Sequence, residues 1–263
     1  MIKETLFIDK WGYLIGIGML FIPWGLFYFA RRDLHSRIVV MSILLLPLAP
    51  IGQYYFLKDY WHPPLILPIR VGGFVFGGLA DLLFAFAMGG IATGAFPVLC
   101  RQIAVAGNAS PRHWIGFAFL AIEGVCVVGL TQFLHINSIF SSSLGFVLTA
   151  VLMIVIRHDL FISLVVSGLI SGLTIAGAEG ILSFVVPLYL SRYWYLYHAQ
   201  YGMLIFNRVP ATELMWGIAF GMVIGPIFDF YKGQTFVAKS ESKAVLVDKS
   251  EYSDKSKEEI ENT

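Results

Sequence analysis

Apolar runs close to or longer than the ~20 residues a helix needs to cross a bilayer recur along this sequence between about residues 11 and 231. In hydrocarbon a segment has to satisfy its own backbone N–H and C=O groups, so runs of this length specify helices. The chain reads as all-α, a polytopic membrane helix bundle. The composition agrees. Hydrophobic residues make up 57% of the chain and charged residues 13%, where ordinary soluble domains carry about 25% charged. The mean hydropathy is +0.76 and the net charge +1, and so small a net charge selects no class of partner.

The runs divide into seven expected spans, at about 11–30, 38–57, 71–98, 114–134, 139–156, 160–188 and 209–231. The first stops at Arg31-Arg32-Asp33 and the fifth at Arg157-His158-Asp159. Pro47 and Pro50 are expected to bend the second. Gly177-Ala178-Glu179-Gly180 offers a break in the sixth, which would make eight spans. In the loop 58–70, Tyr60 and Trp61 suit a membrane interface, and His62-Pro63-Pro64 argue against regular helix. The aromatic stretch 189–208 reads as an interfacial or re-entrant piece. Residues 232–263, rich in Lys, Glu and Ser, read as a disordered tail, leaving 1–231 as a single transmembrane domain. No cleavable signal peptide is expected, because the first apolar run ends in Trp24 and an arginine pair rather than a small-residue site. The Arg31–Arg37 cluster and the Arg101–Arg112 loop fall on the side of the tail. The excess of cationic residues in cytoplasmic loops then makes that side the cytoplasm and the membrane the plasma membrane.

Inside this apolar frame sits Gly78-Leu79-Ala80-Asp81-Leu82-Leu83-Phe84, and a relative of it returns 132 residues later as Pro210-Ala211-Thr212-Glu213-Leu214-Met215-Trp216. Asp81 answers to Glu213, Phe84 to Trp216 and Gly89 to Gly221. Arg31-Arg32-Asp33-Leu34 likewise returns 126 residues later as Arg157-His158-Asp159-Leu160. These offsets predict two parallel three-helix repeats, about 11–98 and 139–231, with one intervening helix and a pseudo-axis along the membrane normal.

A carboxylate at membrane depth is costly and is usually functional. A carboxyl group alone in a low-dielectric cavity favours its neutral form, which is a proton donor. Asp81 and Glu213 are therefore the leading candidates, with Arg70 and Arg208 near the outer ends of the same spans as their partners. The plainer alternative is helix-packing glue or interfacial polar caps. Glu123 and Glu179 are single intramembrane candidates, and Asp229 reads as interfacial. His62, His135 and His198 stand apart, with no HExxH or other metal-ligand spacing, and read as interfacial residues. Cys100 and Cys126 read as small buried hydrophobes. There is no Walker loop, dinucleotide fingerprint or nucleophile elbow, so nucleotides and nucleic acids are disfavoured as partners.

The two carboxylate segments resemble the Pro-x-Glu-Glu/Asp motif, followed by aromatics, that integral-membrane lycopene cyclases carry once in each of two three-span units. The second acidic position is kept as Asp81 and Glu213. The first is Ala80 in one copy and Thr212 in the other, and the proline survives only as Pro210. The resemblance implies an intramolecular lyase or isomerase of carotenoid biosynthesis. In that chemistry a neutral acid protonates the end of an acyclic carotene, a neighbouring double bond closes the ring on the cation, and a base removes a proton. It further implies Glu213 as the acid or its charge partner, Asp81 as base or orienter, and Arg208 and Arg70 beside them. It implies no cofactor, a hydrophobic polyene or isoprenoid as partner within membrane lipid, and a homo- or heterodimer. Three other functions fit the same residues. One is a transporter or binding protein for a small hydrophobic molecule or ion. Another is a prenyl-lipid enzyme with a headgroup site built from the Arg31 and Arg157 clusters. The third is a non-catalytic membrane subunit.

Overall fold

The protein's structure is a computed structural model that describes residues 2–106 and 113–238. The long helices are α1 (Ile2–Ala30), α2 (His35–Leu45), α3 (Leu48–Asp59), α4 (Leu79–Leu99), α5 (His113–Phe133), α6 (Ser138–Ile156), α7 (Phe161–Val185) and, after the one-turn α8 (Tyr189–Tyr193), α9 (Ala211–Lys232). Three two-stranded antiparallel ribbons join them: β1 (Arg70–Val71) with β2 (Phe74–Val75), β3 (Gln102–Ala106) with β6 (Gln234–Ala238), and β4 (Leu204–Ile205) with β5 (Val209–Pro210). The chain is all-α in its membrane part.

Among the described residues, five helices are long and apolar enough to cross a membrane: α1 over Trp11–Ala30, then α4, α6, α7 and α9. The pair α2 and α3 makes a sixth as one span bent by 47°. The bend falls at Pro47, which supplies no N–H to continue the helical ladder. The described apolar part of α5, Ala121–Phe133, is shorter than a span. Five to six spans are thus seen where seven were expected. The eight-span alternative needs a break at Gly177–Gly180, and α7 instead runs unbroken to Val185, two residues short of Pro187.

Other boundaries shift for local reasons. The third run was expected to be helical from 71, but Gly72, Gly73 and Gly77 take φ of +55°, +83° and +89°. Those values turn the chain into the β1–β2 hairpin, and the helix starts only at Leu79. The stretch 189–208 folds as α8, a 3-10 turn and the first strand of the β4–β5 hairpin. The tail begins later than 232, because residues 234–238 form β6; residues 239–263, expected to be disordered, lie outside the described residues. Cys100 is exposed and Cys126 half-buried, so neither is a core residue.

α4 and α9 form the centre of the bundle, with 67% and 61% of their spanning windows buried against 22–44% for the others. They touch each other, α2 and α1 pack on α4, and α6 and α7 on α9. Contacts recur across the chain at the two sequence offsets. Arg31 clasps Asp33 and donates to the carbonyl of Gln102 at 3.0 Å; Arg157 clasps Asp159 and donates to the carbonyl of Gln234 at 2.7 Å. The β3–β6 ribbon pairs Ala104 with Phe236 at its middle, residues separated by the same 132 positions. Gly89 lies against the backbone of Met41, and Gly221 against that of Ser167.

These last two approaches leave no room for a side chain. A Cβ at Gly89 would sit 2.7 Å from the Met41 carbonyl oxygen, and one at Gly221 2.5 Å from that of Ser167. Backbone cannot swing aside, so Gly89→Val and Gly221→Val are each expected to destabilise the protein by about 1–3 kcal/mol. Thermal unfolding of the purified protein in detergent checks this, and unchanged midpoints would show that the helices do not meet there.

Among the described residues, one ion pair is buried on both sides. Arg37 and Asp229 are 5% and 0% exposed and form a two-pronged ion pair, with the guanidinium over the rings of Phe228 and Phe236 at 5.3 and 5.1 Å. Asp229 is therefore not the interfacial group expected of it. It lies near the end of α9, but β6 and α2 cover that end.

Candidate functional site

A cavity of about 420 Å³ lies among α1, α3, α4, α5, α6, α7 and α9. Asp81, Glu123, Glu179 and Glu213 all line it, and among the described residues no Lys, Arg or His does. Aromatic rings form much of the wall. Trp216 stacks on Phe220 at 5.0 Å between ring centres and lies 5.9 Å from Phe84 and 6.0 Å from Phe146. The sequence pairing of Phe84 with Trp216 thus becomes a contact at the centre of the bundle.

Asp81 and Glu213 each occupy the third position of their helix, where a side chain can reach back to the N-cap N–H. Asp81 does so. Its Oδ2 accepts from the Gly78 N–H at 2.7 Å, and its Oδ1 accepts from the Tyr13 hydroxyl at 2.7 Å, tying α1 to α4. Gly77, at φ +89°, makes this possible, since a Cβ there would lie 2.6 Å from Asp81 Oδ2. Both Asp81 oxygens therefore have structural partners.

Glu213 differs for one reason. Its N-cap is Pro210, which has no N–H to offer, so the carboxyl is not drawn back as a cap. Instead Oε1 accepts from the Tyr60 hydroxyl at 2.8 Å, and that hydroxyl also bonds Thr212 Oγ1 at 2.9 Å. Thr212, at the motif's first acidic position, thus helps to hold Tyr60. Burial pushes the Tyr60 hydroxyl well above the usual phenol range. Tyr60 therefore stays a proton donor to the carboxyl.

Glu179 on α7 faces the same space. It is near enough to Glu213 for their charges to interact, and its Oε2 is buried without a hydrogen-bond partner among the described residues. Glu123 Oε1 accepts from the Ser142 hydroxyl at 2.7 Å, and Ser142 in turn accepts from Trp216 Nε1 at 2.9 Å. Glu123 Oε2, Gln53 Nε2 and Thr149 Oγ1 are also buried and unpaired, and all three residues line the cavity. Buried polar atoms in native proteins nearly always have a partner, protein or water, so these atoms are placed to meet water or a ligand in the cavity.

The two arginines expected beside the carboxylates are not there. Arg70 is exposed on the β1–β2 hairpin, and Arg208 is exposed on β4–β5, where it donates to the Ser183 carbonyl at 3.3 Å and lies over the Phe184 ring. Hairpins, not helix, precede α4 and α9, and they carry these side chains away from the cavity. The Arg31 and Arg157 clusters are occupied by Asp33 and Asp159 and by backbone carbonyls. His62 packs its ring on Tyr195 at 4.1 Å outside the cavity, and burial lowers its pKa. His135 and His198 do not line the cavity either. No group of three or more His, Cys, Asp or Glu among the described residues is placed to hold a metal ion.

Sequence reasoning missed the nearness of Glu179 to Glu213 and the reach of Tyr60 and Tyr13 to the two carboxyls. The only signal for Glu179 was a carboxylate within an apolar run, and Tyr60 looked like any interfacial tyrosine. No known protein family, curated protein or solved structure matches this chain.

Proposed function

We propose that this protein is a membrane-embedded acid catalyst that closes a ring on the end group of an acyclic carotenoid, in the manner of the integral-membrane lycopene cyclases. One observation carries the reading: the Glu213 carboxyl, free of capping duty, faces an aromatic-walled cavity without a basic residue in its lining. A carboxyl group in a dry apolar space is cheaper neutral than charged, and the faces of Trp216 and Phe220 favour a developing cation.

The steps balance within the chain. The O–H bond of neutral Glu213 breaks, and a C–H bond forms at the terminal double bond of the substrate, leaving a tertiary cation. The neighbouring double bond supplies the electron pair of the new ring C–C bond and carries the cation into the ring. A second carboxyl group of the lining, in its ionised form, takes a proton from the adjacent carbon, whose C–H electrons become the ring double bond. No electrons are gained or lost, and exchange with solvent protons between turnovers restores the neutral acid and the ionised base. Asp81 orients the site through Tyr13.

Three further features belong to the same reading. α5, at 21 residues, serves as a seventh span. The contacts repeated at offsets of 126 and 132 residues reflect a duplicated, parallel three-span unit. The β3–β6 ribbon then faces the cytoplasm of the plasma membrane beside the tail. A transporter or binding protein for a lipophilic cation is the second reading, and the acid-only lining favours it over any anionic ligand.

Co-expression with a lycopene-producing pathway and pigment analysis tests the function. Cyclic carotenoids are the expected product, and unchanged lycopene in membranes that contain the protein would overturn the reading. Tyr60→Phe removes the hydroxyl that orients Glu213 but leaves the ring. It is expected to lower conversion by about tenfold, in line with loss of one positioning hydrogen bond worth ~1 kcal/mol or more. Initial rates of pigment conversion in isolated membranes check this.

A further inference from the structure

We infer that the cavity opens sideways into the bilayer through a slot between α3 and α5, and that this slot admits a neutral, elongated polyene hydrocarbon end first. The inference rests on the cavity being an isoprenoid site, and it adds the route and the charge class of the ligand.

Both helices line the cavity, yet among the described residues they barely meet: α5 leans on α6 and α9, while α3 leans on α4 and α6. The lips of the gap are Leu48, Ile51 and Gly52 on α3 and Gly124, Val127 and Val128 on α5, all of them lining residues. Ile51 is 57% exposed and Val128 40%, so the lips face outward as well as inward. The two glycines keep the gap wide. A Cβ at Gly124 would meet nothing within 4 Å, and one at Gly52 only the edge of Phe56 at 3.9 Å. Gly124 lies within the apolar stretch Ala121–Phe133, and Leu48 directly follows the Pro47 bend of a membrane span, which puts the opening at hydrocarbon depth.

The chemistry of the opening selects its occupant. Uncharged lips inside a bilayer reject ions, whose desolvation is unfavourable there. Four carboxyl groups and no basic residue in the lining offer nothing to a phosphate or sulfate headgroup. At about 420 Å³, the cavity is toward the lower end of the ~300–1,000 Å³ range of ligand sites. It takes the end group of a long chain and leaves the remainder trailing through the slot among the lipid tails.

The test uses the purified full-length protein in phosphatidylcholine vesicles and diphenylhexatriene, a neutral rod-shaped polyene that quenches tryptophan emission by energy transfer. Wild type is expected to show a saturable quenching phase. That phase should slow by about tenfold in Gly52→Phe and Gly124→Phe, as for a narrowed gate, and by less in Gly124→Leu. It should be unchanged in Gly129→Phe, which sits on the same helix, has open space at its Cβ and does not line the cavity. Equal rates in all the variants would overturn the slot, and so would absence of a saturable phase in wild type. Preference for the trimethylammonium derivative of the same polyene would overturn the neutral ligand. The outcome separates from that of the ring-closure reading. Slowed binding without any lycopene conversion keeps the slot and removes the reaction, whereas conversion at wild-type rate in Gly52→Phe and Gly124→Phe removes the slot alone.

Discussion

Membranes carrying Glu213→Gln are expected to convert lycopene about 10²–10⁴-fold more slowly than wild type, the usual range for loss of a positioned general acid. The substitution is chosen for what it preserves. The amide oxygen still accepts the Tyr60 hydrogen bond, now 2.8 Å, and the neighbouring Trp216–Phe220 stack is untouched. What is lost is the acidic proton. Asp81→Asn should be far milder in its chemical effect, because both Asp81 oxygens already serve as acceptors from Gly78 and Tyr13, and its cost should appear as lower thermal stability. Pigment analysis of the two variants at matched protein levels checks the contrast. If Glu213→Gln retains wild-type turnover, the carboxyl is not the proton source.

The largest expected loss of stability lies away from the cavity. Arg37→Met leaves Asp229, which is 0% exposed, as an uncompensated buried carboxylate, and breaking a buried pair from one side costs about 3–5 kcal/mol. Removing both charges is a different matter, since apolar replacement of a whole buried pair is often neutral or stabilising. Arg37→Met combined with Asp229→Leu should therefore recover most of what Arg37→Met loses. Thermal unfolding of the single and double variants in detergent measures this. An additive double variant would mean that the two groups do not interact. The pair links α2 with α9, elements of opposite halves of the chain, and the same guanidinium covers Phe236 of β6. Loss of Arg37 should loosen that end of the bundle in particular.

The two predictions also show which parts of the molecule could be read from sequence. Five or six of the seven expected spans were legible because hydrocarbon enforces helix over any apolar run of sufficient length, and Pro47 marked its own bend. The pairing of Asp81 with Glu213 was legible because both sit at the same place in a repeated segment. The difference in their duties was also written there, in Gly78 against Pro210, since only one of those residues has an N–H to be capped. The hairpin before α4 was hidden by its apolar content, because Val71, Phe74 and Val75 read as helix while glycines in left-handed conformation set the turn, and the hairpin before α9 turns at Phe206 and Asn207, whose positive φ no local signal announces. The Arg37–Asp229 pair could not be read, since nothing local signals that α2 will cross α9 at that level. Tyr60 was hidden in the same way. Its partner lies 153 positions further along the chain, and only the folded bundle brings the end of α3 to the start of α9.

Ring closure of lycopene in membranes suspended in heavy water tests the central claim most directly. An acid-initiated closure fixes a solvent-derived proton on carbon, so mass spectrometry should find one deuterium retained for each ring formed in the wild-type product, and none in lycopene recovered from Glu213→Gln membranes. A cyclic product that carries no deuterium, or membranes rich in the protein that leave lycopene unconverted, would contradict proton transfer from the cavity acid.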